Sequence, residues 1–213
     1  MPIISLSDVT AGYSASSPVL TNFNLSIEKG TMTVLFGKSG SGKTTLFRLL
    51  TGELCPTAGE VTVADIAVST LGQRALANYR RSIGIVSSDV KLIENRTVEE
   101  NLALSLEIGG MKRARLEAQL DVVIERFNLR NARTSYPPDL SMSERQRTAI
   151  ARAVIQEPLV LFVDEPTAHL DTTASREIAE LLSHENLRGM TILIGTSDER
   201  FVSALPQSSI VTL

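Results

Sequence analysis

A chain of 213 residues with 43% hydrophobic and 21% charged content has the size and make-up of one soluble globular domain, or of one domain carrying an insertion. Its formal net charge of -3 and lack of a basic tract argue against a nucleic-acid surface, so no nucleic-acid partner is expected. No apolar run approaches the roughly 18 residues of a membrane helix, the N-terminus does not read as a secretory signal, and the single cysteine, Cys55, excludes an internal disulfide and fits a reducing compartment.

Residues 2–8 and 20–27 alternate like half-exposed antiparallel strands. Between them, Gly12-Tyr13-Ser14-Ala15-Ser16-Ser17-Pro18 is a turn-rich loop. Tyr13 can pack on the sheet or offer its ring to a flat base, and the segment that follows favours the base. Residues 31–36 read as a short apolar strand, and Leu46 to Leu50 open a helix. Gly37-Lys38-Ser39-Gly40-Ser41-Gly42-Lys43-Thr44 lies between them and fits the phosphate-loop pattern G-x-x-x-x-G-K-[ST]. A Gly/Ser-rich surface turn is the bland alternative, and the strand before and helix after argue against it. Glycines let backbone N–H groups wrap a phosphate without Cβ clashes, and the helix N-terminus adds partial positive charge. Lys43 has the reach for β- and γ-phosphates, and the Thr44 hydroxyl can ligate Mg²⁺.

Cys55 reads as a small packing residue. Gly59 to Val63 is a further strand, residues 70–80 look helical, and Ile83 to Val86 reads as a buried strand. From about 97 to 156 the signal is almost wholly helical. Thr97-Val98-Glu99-Glu100 opens a helix as a capping box. Leu116, Leu120, Val123 and Phe127 then recur at helical spacing, and a second helix runs from about 143 to 156. The expected division is a core of about 1–87 and 157–213 with a helical subdomain of about 88–156 inserted in it. Leu159 to Val163 is a fully apolar strand, as in a parallel sheet covered on both faces, and it ends in Asp164-Glu165. That order is the Walker B arrangement: Asp164 would hold Mg²⁺ and Glu165 would polarise the attacking water. A helix over 173–183 and strands over 190–195 and 209–212 close the chain. The fold class expected is α/β: a P-loop NTPase core with a mainly parallel sheet, an N-terminal antiparallel β subdomain and an inserted α-helical subdomain.

Together these segments resemble the nucleotide-binding subunit of an ATP-binding-cassette (ABC) transporter, over nearly all of the chain. The resemblance rests on Tyr13, Gly37 to Thr45, Tyr136 to Ser141, Arg145 to Ala153, Leu161 to Pro166 and Ala168-His169-Leu170-Asp171. The compact length and Arg96 to Asn101 are similar to the branch that serves lipoprotein release, macrolide export and cell division. The resemblance implies an ATPase that takes ATP and Mg²⁺, and the chain's departures from the family's pattern imply hydrolysis that is slow or partner-dependent. It also implies a head-to-tail homodimer or a heterodimer with a second cassette, and an integral-membrane permease partner at the cytoplasmic face. The nucleotide-binding residues it implies are Tyr13, Gly37, Lys38, Ser39, Gly40, Ser41, Gly42, Lys43, Thr44 and Thr45, with Ser141 reaching the γ-phosphate of the other copy. Glu165 and Lys43 are the implied catalytic residues, Thr44 and Asp164 the metal ligands, and Asp171 would lie at the dimer seam.

Three positions depart from the family's pattern. The signature Leu-Ser-Gly-Gly-Gln/Glu is Leu140-Ser141-Met142-Ser143-Glu144 here, so both glycines are replaced. The Q-loop glutamine falls at Ser88, and the switch histidine falls at Ser197. Neither His169 nor His184 looks placed to substitute. ATP binding groups are therefore intact while the sensing and trans groups are eroded. A hydrolysis-impaired regulatory clamp, or the degenerate half of an asymmetric pair, is the alternative to a working motor. A soluble repair or translation ABC protein is disfavoured, since the chain has neither long coiled coils nor a duplicated cassette.

Overall fold

The computed structural model describes residues 2–14 and 17–213; Ala15 and Ser16 of the loop expected before the second strand lie outside it. Two sheets organise the chain. The first pairs β1 (Pro2–Ala11) with β2 (Leu20–Glu28) and β4 (Ala58–Val63), and β4 with the two-residue β5 (Ile66–Ala67), all antiparallel in the order β2-β1-β4-β5. The second contains β3 (Met32–Phe36), β6 (Gly84–Val86), β7 (Val160–Asp164), β8 (Thr191–Thr196) and β9 (Ser209–Thr212) in the order β6-β7-β8-β3-β9. Every pairing described in it is parallel.

The central strands are apolar throughout because both faces are covered. Side chains alternate across the sheet, so one strand feeds two cores. Val34, Leu161, Val163, Ile192 and Ile194 pack on one face with the helices α3 (Val98–Ile108), α4 (Arg113–Arg126), α5 (Met142–Val154) and α6 (Thr172–Leu187). Leu35, Val160, Phe162 and Leu193 pack on the other with α1 (Lys43–Leu50) and the antiparallel sheet. The phosphate loop therefore leaves β3 between two fixed layers.

Polar ties fix the helical segment. Thr97 and Glu100 close the expected capping box at α3. Arg133 holds Glu99 through Nε and Nη2 at 2.8 and 2.5 Å and Asp121 through Nη1 at 2.6 Å, joining α3 to α4. Arg126 at the end of α4 pairs with Glu185 on α6 at 3.2 Å.

Several expectations need correction. Ile83 to Val86 is not wholly buried: β6 is an edge strand, and Ile85 is 38% exposed. Leu159 precedes β7 and is 47% exposed. Cys55 is exposed rather than packed. The helix expected over 70–80 is a 3-10 turn at Val68–Thr70 followed, past Gly72, by α2 (Gln73–Ser82). α6 runs on to Leu187, since Leu182 and Glu185 keep its buried face going. The short helix α7 (Glu199–Ser203) and strand β5 carry too few residues for a periodic signal.

Candidate active site

β3 ends at Phe36, and the Gly37 N–H donates to the Thr196 carbonyl of β8 at 3.2 Å, which moors the loop to the sheet. The loop then turns through Gly40 and Gly42, at φ +85 and +106, conformations that favour glycine. Gly42 precedes α1, where no side chain caps the helix, so its first N–H groups face the loop's concave side. Inside this cradle lies Lys43, 5% exposed. Its Nζ donates to the carbonyls of Gly37 (2.5 Å) and Lys38 (3.1 Å) and pairs with Glu165 Oε1 (3.3 Å).

The carboxylates arrive from the end of β7. Thr44 Oγ1 donates to Asp164 Oδ2 at 3.0 Å. Asp164 Oδ1 is buried and has no hydrogen-bond partner among the described residues. Burial pushes the Asp164 carboxyl above the usual carboxylate range, with the Thr44 hydrogen bond opposing that rise. Glu165 leaves the strand at φ +45, its N–H held by the Gly195 carbonyl at 2.8 Å. That turn aims its carboxylate back at Lys43. Glu165 Oε2 also accepts from the Thr196 hydroxyl (3.3 Å) and the Ser197 N–H (3.2 Å).

Tyr13 stands at the rim, 60% exposed. Its hydroxyl accepts from Arg48 Nη1 (3.1 Å) and Thr45 Oγ1 (3.4 Å), and the Arg48 guanidinium lies 5.4 Å from the ring centroid. A cleft of about 400 Å³ joins these groups: Tyr13, Val19, Ser39, Gly40, Gly42, Lys43, Thr44, Thr45, Ser88, Asp164 and Glu165 line it. Gly37, Lys38 and Ser41 of the loop do not line it: Gly37 and Lys38 turn their carbonyls to Lys43 Nζ, and the Ser41 hydroxyl is buried and unpartnered among the described residues.

The residues present suit a nucleotide triphosphate with Mg²⁺. A hydroxyl and a carboxylate with a spare buried oxygen are hard ligands, and Mg²⁺ draws its other ligands from phosphates and water.

The sequence pattern of the ABC transporter family matches residues 20–168. The chain belongs to the ABC transporter family. It is an ATP-binding, ATP-hydrolysing cassette of that family. It is 39% identical over 206 residues to the cell division ATP-binding protein FtsE of Mycobacterium tuberculosis, covering 96% of this chain and 90% of that one. It is 35% identical to the methionine import ATP-binding protein MetN of Carboxydothermus hydrogenoformans, covering 96% of this chain and 61% of that one. The dimeric ATP-binding cassette MJ0796, solved in a post-hydrolysis state with ADP and phosphate, superposes with a TM-score of 0.87 at 30% identity, over 99% of this chain and 94% of that one.

Within the cassette, Ser141 does not line the cleft. It caps α5, where its hydroxyl donates to Glu144 Oε2 at 2.6 Å and accepts the Glu144 N–H at 3.3 Å. The Ser141 hydroxyl, with the Ser141 N–H on the same oxygen at 2.9 Å, holds the Glu144 carboxyl below its usual range. Met142 beside it is 44% exposed. Asp171 caps α6 through the Ala174 N–H at 2.8 Å. His169 sits at φ +69 on the surface, His184 is exposed on α6, and neither lines the cleft. Ser88 does line it, while Ser197 reaches the site through its backbone N–H. Sequence reasoning missed Arg48 and Thr196. Arg48 lies one helical turn beyond Thr45, a spacing that puts both on the Tyr13 side. Thr196 is a polar residue closing a buried strand whose middle, Ile192 to Ile194, is apolar.

Proposed function

We propose that this cassette binds Mg²⁺-ATP in the cleft, pairs head to tail with a second cassette, and drives an integral-membrane permease from its cytoplasmic face, with hydrolysis that is slow or gated by its partners. The observation that carries this reading is the meeting of Lys43, the Thr44–Asp164 pair and Glu165 at one point of the cleft, while serines stand at 88 and 197. The phosphate loop and α1 N-terminus supply N–H donors for phosphate oxygens. Lys43 exchanges its carbonyl partners for the β- and γ-phosphates. Thr44 and Asp164 hold Mg²⁺, which when bound neutralises charge on the phosphates. Glu165 takes the proton from the attacking water. Tyr13 stacks on the adenine, its hydroxyl steadied by Arg48 and Thr45. The helical segment, about 88–156, meets the membrane partner, and the core is about 1–87 and 157–213.

Hydrolysis is slow because contacts on the water and γ-phosphate are shortened or lost. A serine at 88 or 197 is too short to repeat the contact of a glutamine or histidine. One lost positioned contact commonly costs about 10²–10³ in rate, and groups acting as one unit do not add. Ser141 keeps an N-cap geometry that can meet a phosphate across the dimer, but Met142 and Ser143 add side chains where the family has glycines. The same erosion supports a second reading, a regulatory clamp that closes on ATP with little turnover. Light scattering on Glu165→Gln tests the shared core of both. The variant should dimerise with Mg²⁺-ATP and not with Mg²⁺-ADP. A monomer under both conditions would overturn the proposal.

A further inference from the structure

Glu165 is held at both carboxylate oxygens, and the two holders differ in kind. Lys43, on Oε1, is a long side chain already shared with two loop carbonyls. On Oε2 the holders are parts of the rigid sheet: the Thr196 hydroxyl at 3.3 Å and the Ser197 N–H at 3.2 Å. Thr196 ends β8 and is fully buried. Its hydroxyl accepts the Asp198 N–H at 3.1 Å, which commits a lone pair and leaves its proton for Glu165. Asp198 is fixed in turn as the cap of α7, through the Arg200 N–H at 3.0 Å. The Glu165 backbone is anchored to the neighbouring Gly195 carbonyl.

We propose that Thr196 is a positioning residue for the general base, pinning Glu165 Oε2 to the end of β8 so that Oε1 alone is released when Lys43 turns to phosphate. This rests on the reading of Glu165 as the base. Without the Thr196 hydroxyl, Oε2 keeps the Ser197 N–H alone, and the Lys43 ion pair on Oε1 can draw the carboxylate toward the loop. The freed oxygen would then no longer face the water. Because Ser197 brings only its backbone N–H to this place, the Thr196 hydroxyl is the side-chain donor that the site offers Oε2.

Thr196→Val removes the hydroxyl at nearly constant volume, and Thr196→Ser keeps it. Thr196→Val should lower kcat about tenfold, the loss of roughly one hydrogen bond to a charged group. KM and nucleotide affinity should stay within about twofold, and Thr196→Ser should recover most of the rate. A second readout needs no turnover. In nucleotide-free protein, Thr196→Val should lower Tm less in a Glu165→Ala background than in the parent, because the shared bond is already gone. Parent-like kcat in Thr196→Val, equal loss in Val and Ser variants, or additive Tm changes would each overturn the proposal. Where the isolated cassette turns over too slowly to measure, the Tm comparison decides. Full turnover in Glu165→Gln would sink the base assignment instead, and the Tm coupling between Thr196 and Glu165 would still be seen.

Discussion

Replacing Arg126 by Met tests how the helical segment is fixed to the core. Arg126 ends α4, and its Nε lies 3.2 Å from Oε1 of Glu185, which is 2% exposed on α6. Burial raises the Glu185 carboxyl above its usual range; Arg126, Arg188 and His184 oppose the rise and Glu157 adds to it. Met keeps much of the stem's packing and removes the charge. A buried carboxylate stripped of its partner can escape by taking up a proton, which caps the cost. An unperturbed glutamate titrates near about 4.3, so neutralising it costs at most about 3.7 kcal/mol at pH 7 and about 1 kcal/mol at pH 5. The sign follows from linkage: a folded-state value raised still further gives stability that is present at low pH and lost as pH rises. Part of that cost is already carried by the parent, whose Glu185 is raised with Arg126 in place, so urea unfolding of nucleotide-free Arg126→Met should show a loss below the ceiling, on the order of 1–3 kcal/mol at pH 7, that shrinks toward zero at pH 5. Arg126→Met with Glu185→Leu should return to within about 1 kcal/mol of the parent, because an apolar pair of similar volume has no charge to bury. Equal losses at the two pH values, or a double variant as unstable as the single, would refute this reasoning.

Asp164→Asn should raise the nucleotide-free Tm at pH 7. Burial holds Asp164 above its ordinary range, so its contribution to stability falls as pH rises through that range. A gain of about 1 kcal/mol corresponds to roughly 2–4 °C, and thermal melts should also show the Mg²⁺-dependent part of ATP stabilisation gone. Gly195→Ala should destabilise by about 1–3 kcal/mol in urea titration. Its Cβ would sit 2.5 Å from the Phe47 ring and 3.2 Å from Asp164 Oδ1, with that ring already edge-on to Phe162. Tyr13→Ala should weaken ATP binding by roughly tenfold, the scale of one stacked base, and leave tripolyphosphate binding unchanged by calorimetry.

The sequence carried the phosphate loop and the two carboxylates clearly because each depends on local order: strand, glycine turn, helix, and apolar strand followed by acids. Their meeting was legible too, since parallel strands of one sheet bring their C-terminal ends to the same edge, here with β8 between β3 and β7. What stayed hidden depends on partners distant in the chain. Arg48 matters through Tyr13, and Thr196 through Glu165, and neither pairing has a spacing rule. The exposure of Ile85 followed from the place of β6 at the sheet edge, which an apolar run does not reveal. The Ser141 capping box shares its residues with the signature motif, and the Ser141-to-Glu144 spacing alone suffices to place it.

ATP turnover of the purified cassette, measured beside Lys43→Ala and Glu165→Gln, separates a working but slow ATPase from the other readings of this site. Slow turnover that both substitutions abolish is expected, with ATP still bound by Glu165→Gln and lost by Lys43→Ala. Turnover as fast as that of cassettes with intact glutamine and histidine positions would contradict it, as would a rate unchanged in Glu165→Gln.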